Sequence, residues 1–287
     1  MINLEQITAV LEAYMRREDL PTALCEAMKY SLLAGGKRLR PMLCLYACEM
    51  VGGNMEAALP LAAALEMIHT YSLVHDDLPA MDNDAFRRGK KTTHAQFGED
   101  MGILAGDALL NYAYETAVNG ILCARKKEDA VRALQILARK AGIYGMVGGQ
   151  VVDVEMTGKS LNKEQIDFIY RLKTGALLEA SFMVGAALAG ASDDMIRVLE
   201  ETGKNIGYAF QIQDDILDVT STTQELGKPV HSDEKNEKNT YVTVYGMEQA
   251  KEAVEAYSEK ALTFLEQLPV QSAFLNTLVY ALISRKK

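Results

Sequence analysis

Two acidic clusters in this sequence contain the residue types of a metal site that binds phosphate esters. The carboxylates concerned are Asp76, Asp77, Asp82, Asp214, Asp215 and Asp218. Several carboxylates close together in apolar surroundings need a counter-charge. Oxygen ligands in this number suit a hard cation, above all Mg²⁺, which keeps some of its waters and bridges to substrate phosphates. The clusters therefore predict a magnesium site for a phosphate-bearing substrate.

The spacing within each cluster brings carboxylates together. Asp214 and Asp218 are four residues apart and share one helix face. Pro79 is expected to end the first helix, so that Asp82 turns back towards Asp76. No Lys or Arg lies one turn from either cluster, so intrahelical salt bridges cannot balance the charge. A single Asp-Asp pair can simply mark a polar helix end, but two such clusters on two apolar helices favour the metal site.

The basic residues are concentrated in two loops although the chain has a net charge of −9. One loop has Lys37, Arg38 and Arg40, and the other has the run 87–91. The negative net charge argues against nucleic acid as a partner, because phosphate backbones select basic surfaces. The two basic loops could bind a small polyanion. Composition alone favours the simpler interpretation, in which these lysines and arginines serve only solubility.

The elements that must position these residues are predicted to be helices. Trp is absent, Pro is scarce, and Ala, Leu, Glu and Met recur throughout. Helical periodicity predicts helices at 3–17, 21–34, 39–51, 55–79, 93–118, 126–140, 143–157, 162–174, 176–190, 193–219, 234–244, 247–267 and 271–284. The helices 55–79 and 193–219 are long and apolar, which is typical of the centre of a bundle, and each ends in an acidic cluster. No linker interrupts the chain, so we predict one all-α domain over residues 1–287.

The cysteines and the apolar segments bear on the compartment. The four cysteines form no CxxC pair and no zinc spacing, and Cys44 and Cys48 are expected to be buried on one helix face. The N-terminus has no continuous apolar stretch of the signal-peptide type, and the longest apolar runs are too short to span a bilayer. These features predict a cytoplasmic protein without a membrane span.

Beyond the clusters, the motifs of the whole chain resemble one enzyme family. In chain order they are GGKRLRP (35–41), DDLPAMD (76–82), RRGK (87–90), GGQVVD (148–153), KTGAL (173–177), DDILD (214–218) and LGK (226–228). This set resembles the trans-isoprenyl diphosphate synthases, and the four-residue spacer before Asp82 resembles their bacterial short-chain members. The resemblance implies a bundle of long helices around a deep central cavity, the isoprenoid synthase fold. It also implies condensation of isopentenyl diphosphate with an allylic diphosphate such as dimethylallyl or geranyl diphosphate.

The resemblance implies a role for each aspartate and for several cations. Three Mg²⁺ ions would be held against the allylic diphosphate by Asp76, Asp77, Asp82, Asp214 and Asp215, with Asp218 completing the second motif. The same diphosphate would be contacted by Arg87, Lys173, Lys228 and Lys238. Thr174, Gln211 and the carbonyl of Lys173 resemble the dipoles that face the allylic cation. Gln150 and Asp153 would support the metal site.

The homoallylic substrate, isopentenyl diphosphate, is expected in a separate basic pocket. By resemblance its residues are Lys37, Arg40, His69 and Arg88. Arginine suits phosphate because its planar fork binds two oxygens at once. Arg38 has no role in this set, and we expect it to be a solvent-exposed charge.

Product length in this family is set by side chains just upstream of the first motif. Tyr71 stands five residues before Asp76, about 7.5 Å deeper at ~1.5 Å per residue. Its ring is expected to be the floor of the pocket and to stop growth at farnesyl diphosphate (C15), although the neighbouring Ser72 leaves some room. A tyrosine on an apolar helix can equally be an ordinary core residue.

Other functions stay open at this stage. The same enzyme could make geranyl or geranylgeranyl diphosphate. A terpene cyclase also uses an Asp-rich motif, but it would not need Lys37, Arg40 and the second motif. A regulatory partner subunit of a synthase would be expected to have lost aspartates, and none is missing. By resemblance the chain is expected to form a homodimer.

Overall fold

The computed structural model describes residues 2–16, 21–159, 161–220 and 240–283. The helices in these ranges are α1 (Leu4–Tyr14), α2 (Thr22–Leu32), α3 (Leu39–Met50), α4 (Met55–Asp76), α5 (Thr93–Phe97), α6 (Glu99–Cys123), α7 (Lys127–Ala141), α8 (Met146–Met156), α9 (Lys163–Ile169), α10 (Ala176–Leu188), α11 (Asp193–Thr220), α12 (Tyr241–Tyr245), α13 (Met247–Glu266) and α14 (Ala273–Ile283). Two two-residue strands, β1 (Phe86–Arg87) and β2 (Lys90–Lys91), form a hairpin. The predicted all-α class is confirmed.

Helix α4 lies at the centre of the bundle, between α3 and α6. Its buried residues occur on every side of the helix, because a helix enclosed by neighbours has no solvent face to keep polar. Among the described residues it is also the one helix long and apolar enough to cross a membrane, but 67% of its apolar window is buried inside the protein. Packing in the core therefore accounts for its composition.

Helix α11 is less uniformly apolar than its sequence suggested. Its first two turns expose polar residues, whereas the part from Thr202 to Asp218 is mostly buried against α10 and α13. The completely enclosed neighbour is α10, whose residues from Ala176 to Ala187 are all buried. The second acidic cluster is thus positioned by the buried half of an amphipathic helix.

Several predicted helix boundaries differ from the observed ones for local reasons. The predicted helix 93–118 is two helices, because Gly98 has a φ of +101° and breaks it. The predicted helix 162–174 ends at Ile169 and continues as a π-helical turn, Tyr170–Gly175. The predicted helix 55–79 ends three residues early, at Asp76. The start of the predicted helix 234–244 lies outside the described residues.

The hairpin after α4 was not predicted, and it positions two arginines. Arg88 and Gly89 have φ values of +53° and +74°, as a two-residue turn with both residues left-handed requires. Arg87 therefore lies in β1 and Arg88 in the turn. As expected, Cys44 and Cys48 are buried in α3.

Candidate active site

A cavity of about 620 Å³ lies between α4, α8 and the π-helical turn. Valines of α8 form much of its apolar wall, including Val147, Val151 and Val154. The polar residues that line it are Arg40, His69, Tyr71, Ser72, His75, Asp76, Gln150, Glu155, Lys173 and Thr174. A large apolar space with a few convergent polar groups is typical of a site for a ligand with a hydrocarbon body and a charged head.

Three carboxylates surround the ammonium group of Lys173, which lines this cavity together with Asp76. The Nζ of Lys173 lies 2.6 Å from Asp153 Oδ2 and 3.7 Å from Asp76 Oδ2. Gln150 donates a hydrogen bond to Asp76 Oδ1. Burial acts to lower the pKa of Lys173, but Asp76, Asp153 and Asp82 outweigh it, and the net pKa is raised. Lys173 therefore stays protonated, and the aspartates predicted to bind metal share one electrostatic environment with it.

The loop after α4 returns Asp82 to this cluster, as the sequence predicted. The helix ends at Asp76, and the backbone N–H of Asp82 donates to the carbonyl of Asp76 over 2.9 Å. Asn83 then adopts a left-handed conformation with a φ of +52°, and its N–H bonds to the carbonyl of Leu78. The chain thus folds back on itself within six residues.

Asp77 is buried and paired with Arg87 within the protein. Arg87 Nε lies 2.8 and 3.0 Å from the two carboxylate oxygens of Asp77, and its Nη2 lies 2.7 Å from Oδ1. Burial raises the pKa of Asp77 to about 6, although the Arg87 guanidinium acts to lower it. Successive helical residues point about 100° apart, so Asp76 and Asp77 face different surroundings. The predicted roles of Asp77 at a metal and of Arg87 at a diphosphate stay predictions.

The second motif is tied to the π-helical turn and to the start of α12. Asp215 is buried; its Oδ2 accepts a hydrogen bond from the Tyr170 hydroxyl and another, over 2.8 Å, from the Tyr241 N–H. Gln211 Nε2 donates to Asp215 Oδ1 over 3.2 Å, and Thr174 donates to Gln211 Oε1 over 2.7 Å. Thr174 and Gln211, the two predicted dipoles, are therefore in direct contact. Sequence reasoning missed Tyr170 and Tyr241, since no local pattern indicates this pairing.

Asp214 and Asp218 differ in exposure although they share one helix face. Asp214 is half-buried, whereas Asp218 is only 4% exposed. Their predicted metal roles, like that of Asp215, stay predictions. Lys228 and Lys238 lie outside the described residues, so their predicted contacts with the diphosphate also remain predictions.

The π-helical turn is held between two helices by glycines. A Cβ on Gly149 of α8 would lie 2.2 Å from the backbone nitrogen of Lys173, and one on Gly207 of α11 would lie 2.6 Å from the Cα of Gly175. Only glycine permits both approaches. The turn therefore presents Lys173 to the first motif and Thr174 to the second from a fixed backbone.

Cations gather around His69 of α4, where the basic pocket was predicted. The Nε of Arg40 is buried without a hydrogen-bond partner, and burial lowers the pKa of this guanidinium to about 10. Arg88 donates to the carbonyl of Gly35 and packs against Gly36, where a Cβ would come within 2.7 Å of its Nη1. Lys37 is exposed. A half-buried guanidinium whose Nε has no partner within the protein fits an anion as the missing partner.

The prediction that Arg38 is a solvent-exposed charge is wrong. Its side chain is buried, with Nη1 2.7 Å from Glu66 Oε1 and Nη2 2.7 Å from the carbonyl of Leu32. A left-handed φ of +47° directs the side chain inwards at the start of α3. Glu66 lies within the apolar helix α4, where its charge needs a buried partner.

His69 gives this pocket a testable pH response. Burial, and then the charges of Arg40 and its neighbouring arginines, hold the pKa of His69 well below 6.5. The unfolded chain binds a proton at this histidine near pH 6.5 and the folded chain does not, so folding stability rises with pH through that range and is lost below it. We expect His69→Gln to lose less stability than the wild type between pH 8 and pH 5.5 in urea unfolding. Equal losses in the two proteins would contradict the depressed pKa.

The carboxylates fit a magnesium ion that takes some of its ligands from a substrate. Within the described ranges, no three His, Cys, Asp or Glu side chains form a group that could enclose a metal by themselves. Asp76 and Asp82 lie together beside the cavity, as described above. Mg²⁺ is commonly bound by one or two carboxylates, with waters and phosphate oxygens completing the shell. This arrangement matches the site.

A helical bundle whose cavity joins a carboxylate cluster to a cationic pocket defines an enzyme that handles apolar phosphate esters. The polyprenyl synthetase family model matches residues 21–268, and the chain belongs to this family. The predicted isoprenoid synthase fold and the predicted family are thereby confirmed.

Individual relatives agree with this assignment. The chain is 51% identical over 246 residues to a geranylgeranyl diphosphate synthase from Cyanophora paradoxa, covering 84% of this chain and 80% of that protein. It is 44% identical over 271 residues to a farnesyl diphosphate synthase from Geobacillus stearothermophilus, covering 94% and 91%. A geranyltransferase from Helicobacter pylori, solved with magnesium and isoprenyl diphosphate, superposes with a TM-score of 0.81 at 32% identity, covering 99% of this chain and 97% of that one.

Proposed function

We propose that this enzyme condenses isopentenyl diphosphate head-to-tail (1′-4) with dimethylallyl and then geranyl diphosphate, and releases farnesyl diphosphate and diphosphate. The prenyltransferase class follows from the family, whereas the C15 product is our inference. The observation that carries it is the cavity in which Asp76 and Lys173 line the same space as the Tyr71 ring.

The allylic diphosphate is proposed to bind beside Asp76, Asp82 and Asp214, with Lys173 and Arg87 as protein cations. A relative from Helicobacter pylori contains magnesium and isoprenyl diphosphate, which supports Mg²⁺ here, and we propose three ions per site. Bound magnesium would supply Lewis-acid neutralisation of charge on the departing diphosphate. Asp77, Asp215 and Asp218 are proposed to complete the two motifs around this site, and Gln150 and Asp153 to orient Asp76 and Lys173.

The protein's next task is to hold the allylic cation close to the alkene. Thr174 and Gln211 already share a 2.7 Å hydrogen bond, so their oxygens are fixed before substrate binds. Preorganised dipoles stabilise developing charge without reorganising during the reaction. The proton lost after carbon–carbon bond formation is proposed to go to the released diphosphate, and no protein base is assigned.

Isopentenyl diphosphate is proposed to bind at Lys37, Arg40, His69 and Arg88, next to the aspartates of the first motif. The unpaired Arg40 Nε supports this placement. Arg40 and His69 also line the main cavity, so the alkene can reach the allylic carbon from this pocket.

Tyr71 is proposed to limit the product to fifteen carbons. Its ring lines the cavity but is only 7% exposed, and it packs edge-on against His75 with 5.8 Å between ring centroids. Burial, assisted by Tyr114 and Asp76, raises the pKa of its phenol to about 12, so the group stays neutral. Relatives that make farnesyl and geranylgeranyl diphosphate both match this chain, so family membership alone leaves the length open.

The Tyr71→Ala variant is expected to extend the product to C20 or beyond, because removal of the ring opens the end of the cavity. The wild type should convert dimethylallyl and geranyl diphosphate to the C15 product, leave farnesyl diphosphate unextended and lose activity in EDTA. Chromatography of dephosphorylated products from radiolabelled isopentenyl diphosphate measures both results. Ser72→Ala, which trims a neighbouring lining residue, is the control and should retain the C15 product.

Each other outcome has a definite meaning. A C20 product from the wild type would keep the condensation and favour a geranylgeranyl diphosphate synthase. Unchanged length in Tyr71→Ala would remove Tyr71 as the floor. No condensation from any starter would favour a regulatory partner subunit, and a cyclic hydrocarbon product would favour a terpene cyclase. A homodimer, a cytoplasmic location and a single domain over residues 1–287 stay predictions.

A further inference from the structure

A buried charge cluster lies behind the turn that carries Lys173 and Thr174. Lys140, in the last turn of α7, donates hydrogen bonds to Glu179 of α10 and, over 2.7 Å, to Glu200 of α11. The Glu179 side chain is 1% exposed and that of Lys140 is 13% exposed. Three helices are therefore joined through one ammonium group, away from the residues that line the main cavity.

The geometry of Glu179 connects this cluster to the π-helical turn. Its second oxygen, Oε1, is buried without a hydrogen-bond partner and lies 3.8 Å from the position of a Cβ on Gly175, the last residue of the turn. A Cβ on Gly203 of α11 would come within 2.6 Å of the Glu179 Cα, so α11 holds this backbone directly. Glu179 therefore packs between the end of the turn and α11, and a shift of Glu179 towards either one would press on its backbone.

The cluster is costly for stability alone. Burial raises the pKa of Glu179, although Lys140 acts to lower it. Buried ion pairs seldom stabilise a fold more than apolar residues of the same size, and an unpaired carboxylate oxygen adds a desolvation cost. A buried ion pair of this kind is explained if it fixes one particular conformation of the protein. Here that conformation is the one of the π-helical turn.

We propose that Lys140, Glu179 and Glu200 are positioning residues that fix the π-helical turn, so that Lys173 faces the allylic diphosphate and Thr174 faces the reacting carbon. This inference rests on the proposed function, and it adds a group of positioning residues that lies outside the substrate pocket. None of the three residues lines the main cavity. Their effect should fall on the allylic substrate, because the basic pocket for isopentenyl diphosphate is built from other elements.

The test is the double variant Lys140→Met/Glu179→Leu, which removes both charges and nearly preserves volume. We expect a folded protein with kcat lowered at least about tenfold and a raised KM for geranyl diphosphate, because small displacements of catalytic groups lower rates steeply. KM for isopentenyl diphosphate should stay within about twofold. Lys140→Arg should retain most of the activity. Glu201→Gln, which alters a neighbouring half-buried pair on α11, is the matched control and should change neither value.

Several results would overturn the proposal. These are a folded double variant with wild-type kinetics, or one in which both KM values rise equally, as a general structural role predicts. If the double variant does not fold, Glu179→Gln decides the matter, because it keeps the size of the side chain. It should raise the KM for geranyl diphosphate about threefold more than the KM for isopentenyl diphosphate. An equal effect on the two KM values would reject the proposal.

A binding measurement separates this proposal from the proposed function. Calorimetry with Mg²⁺ compares geranyl S-thiodiphosphate with isopentenyl S-thiodiphosphate in the wild type and in the double variant. If the wild type fails to condense substrates but the variant selectively loses affinity for the geranyl analogue, the proposed reaction fails and the positioning role stands. If condensation occurs and this selective loss is absent, the positioning role fails.

Discussion

Replacement of Asp76 by Asn is expected to lower kcat about 10³-fold while the protein stays folded. The Asp76 carboxylate accepts from Gln150 and lies 3.7 Å from the Lys173 ammonium. Asn can still accept the bond from Gln150, and Lys173 keeps its 2.6 Å contact with Asp153, so the local structure should survive. The variant loses the negative charge that attracts a divalent cation, at the position where a diphosphate would share it.

The measurement is a magnesium titration of steady-state rates with saturating geranyl and isopentenyl diphosphates. Asp76→Asn should need more Mg²⁺ for half-maximal rate and should remain far below the wild type at saturation. Asp194→Asn is the control, since Asp194 is an exposed aspartate paired with Arg197 on the helix that carries the second motif. A variant at Asp76 with an unchanged magnesium requirement would show that this carboxylate does not contribute to the metal site.

Local signals in the sequence were sufficient where one element determined the outcome. Pro79 follows the end of α4, and the loop returns Asp82 to the carbonyl of Asp76 as its position predicted. The apolar residues around α4 predicted its central location, because only an enclosed helix can lack a polar face. These inferences depend on neighbours within a few residues, which a sequence shows directly.

Sequence reasoning was insufficient where partners come from distant parts of the chain. Asp76 and Asp77 are identical in type, yet only the structure shows that Asp77 is paired with Arg87. Asp214 and Asp215 differ similarly, since Asp215 is joined to Tyr170, 45 residues earlier. In both pairs the second aspartate points into the protein, because consecutive side chains cannot face the same cavity on a helix.

Arg38 shows the same limit for a cation. It belongs to a basic run that reads as a surface loop, but its partner Glu66 lies 28 residues later, in an apolar helix. The π-helical turn was also hidden, since Tyr170–Gly175 continues an ordinary helical pattern. Its wider geometry exists because α8 and α11 approach its backbone at glycines, which is a tertiary effect.

Gly149→Ala is therefore expected to lower kcat about 100-fold, although it adds a single methyl group outside the cavity lining. The new Cβ would lie 2.2 Å from the Lys173 nitrogen and 2.8 Å from the Leu172 carbonyl carbon, and backbone atoms of a packed turn cannot move aside as a flexible side chain can. Either the turn or α8 must shift. A shift of the turn separates Lys173 from Asp76, and a shift of α8 separates Gln150 from the Asp76 carboxylate. The expected cost in folding stability is about 1–3 kcal/mol.

The control Gly120→Ala distinguishes the effect of displacing the π-helical turn from the effect of adding a methyl group at any tightly packed glycine. Its Cβ would lie 2.7 Å from the Pro60 ring, beside a different cavity, so it adds a milder clash with a rigid ring, away from the π-helical turn. Thermal unfolding and steady-state kinetics of both variants give the comparison. Gly120→Ala should lose stability but keep its kcat, whereas Gly149→Ala should lose both. If Gly149→Ala loses only stability, the backbone of the turn tolerates displacement. The rate would then depend on the Lys173 and Thr174 side chains but not on the close glycine contacts that hold the turn.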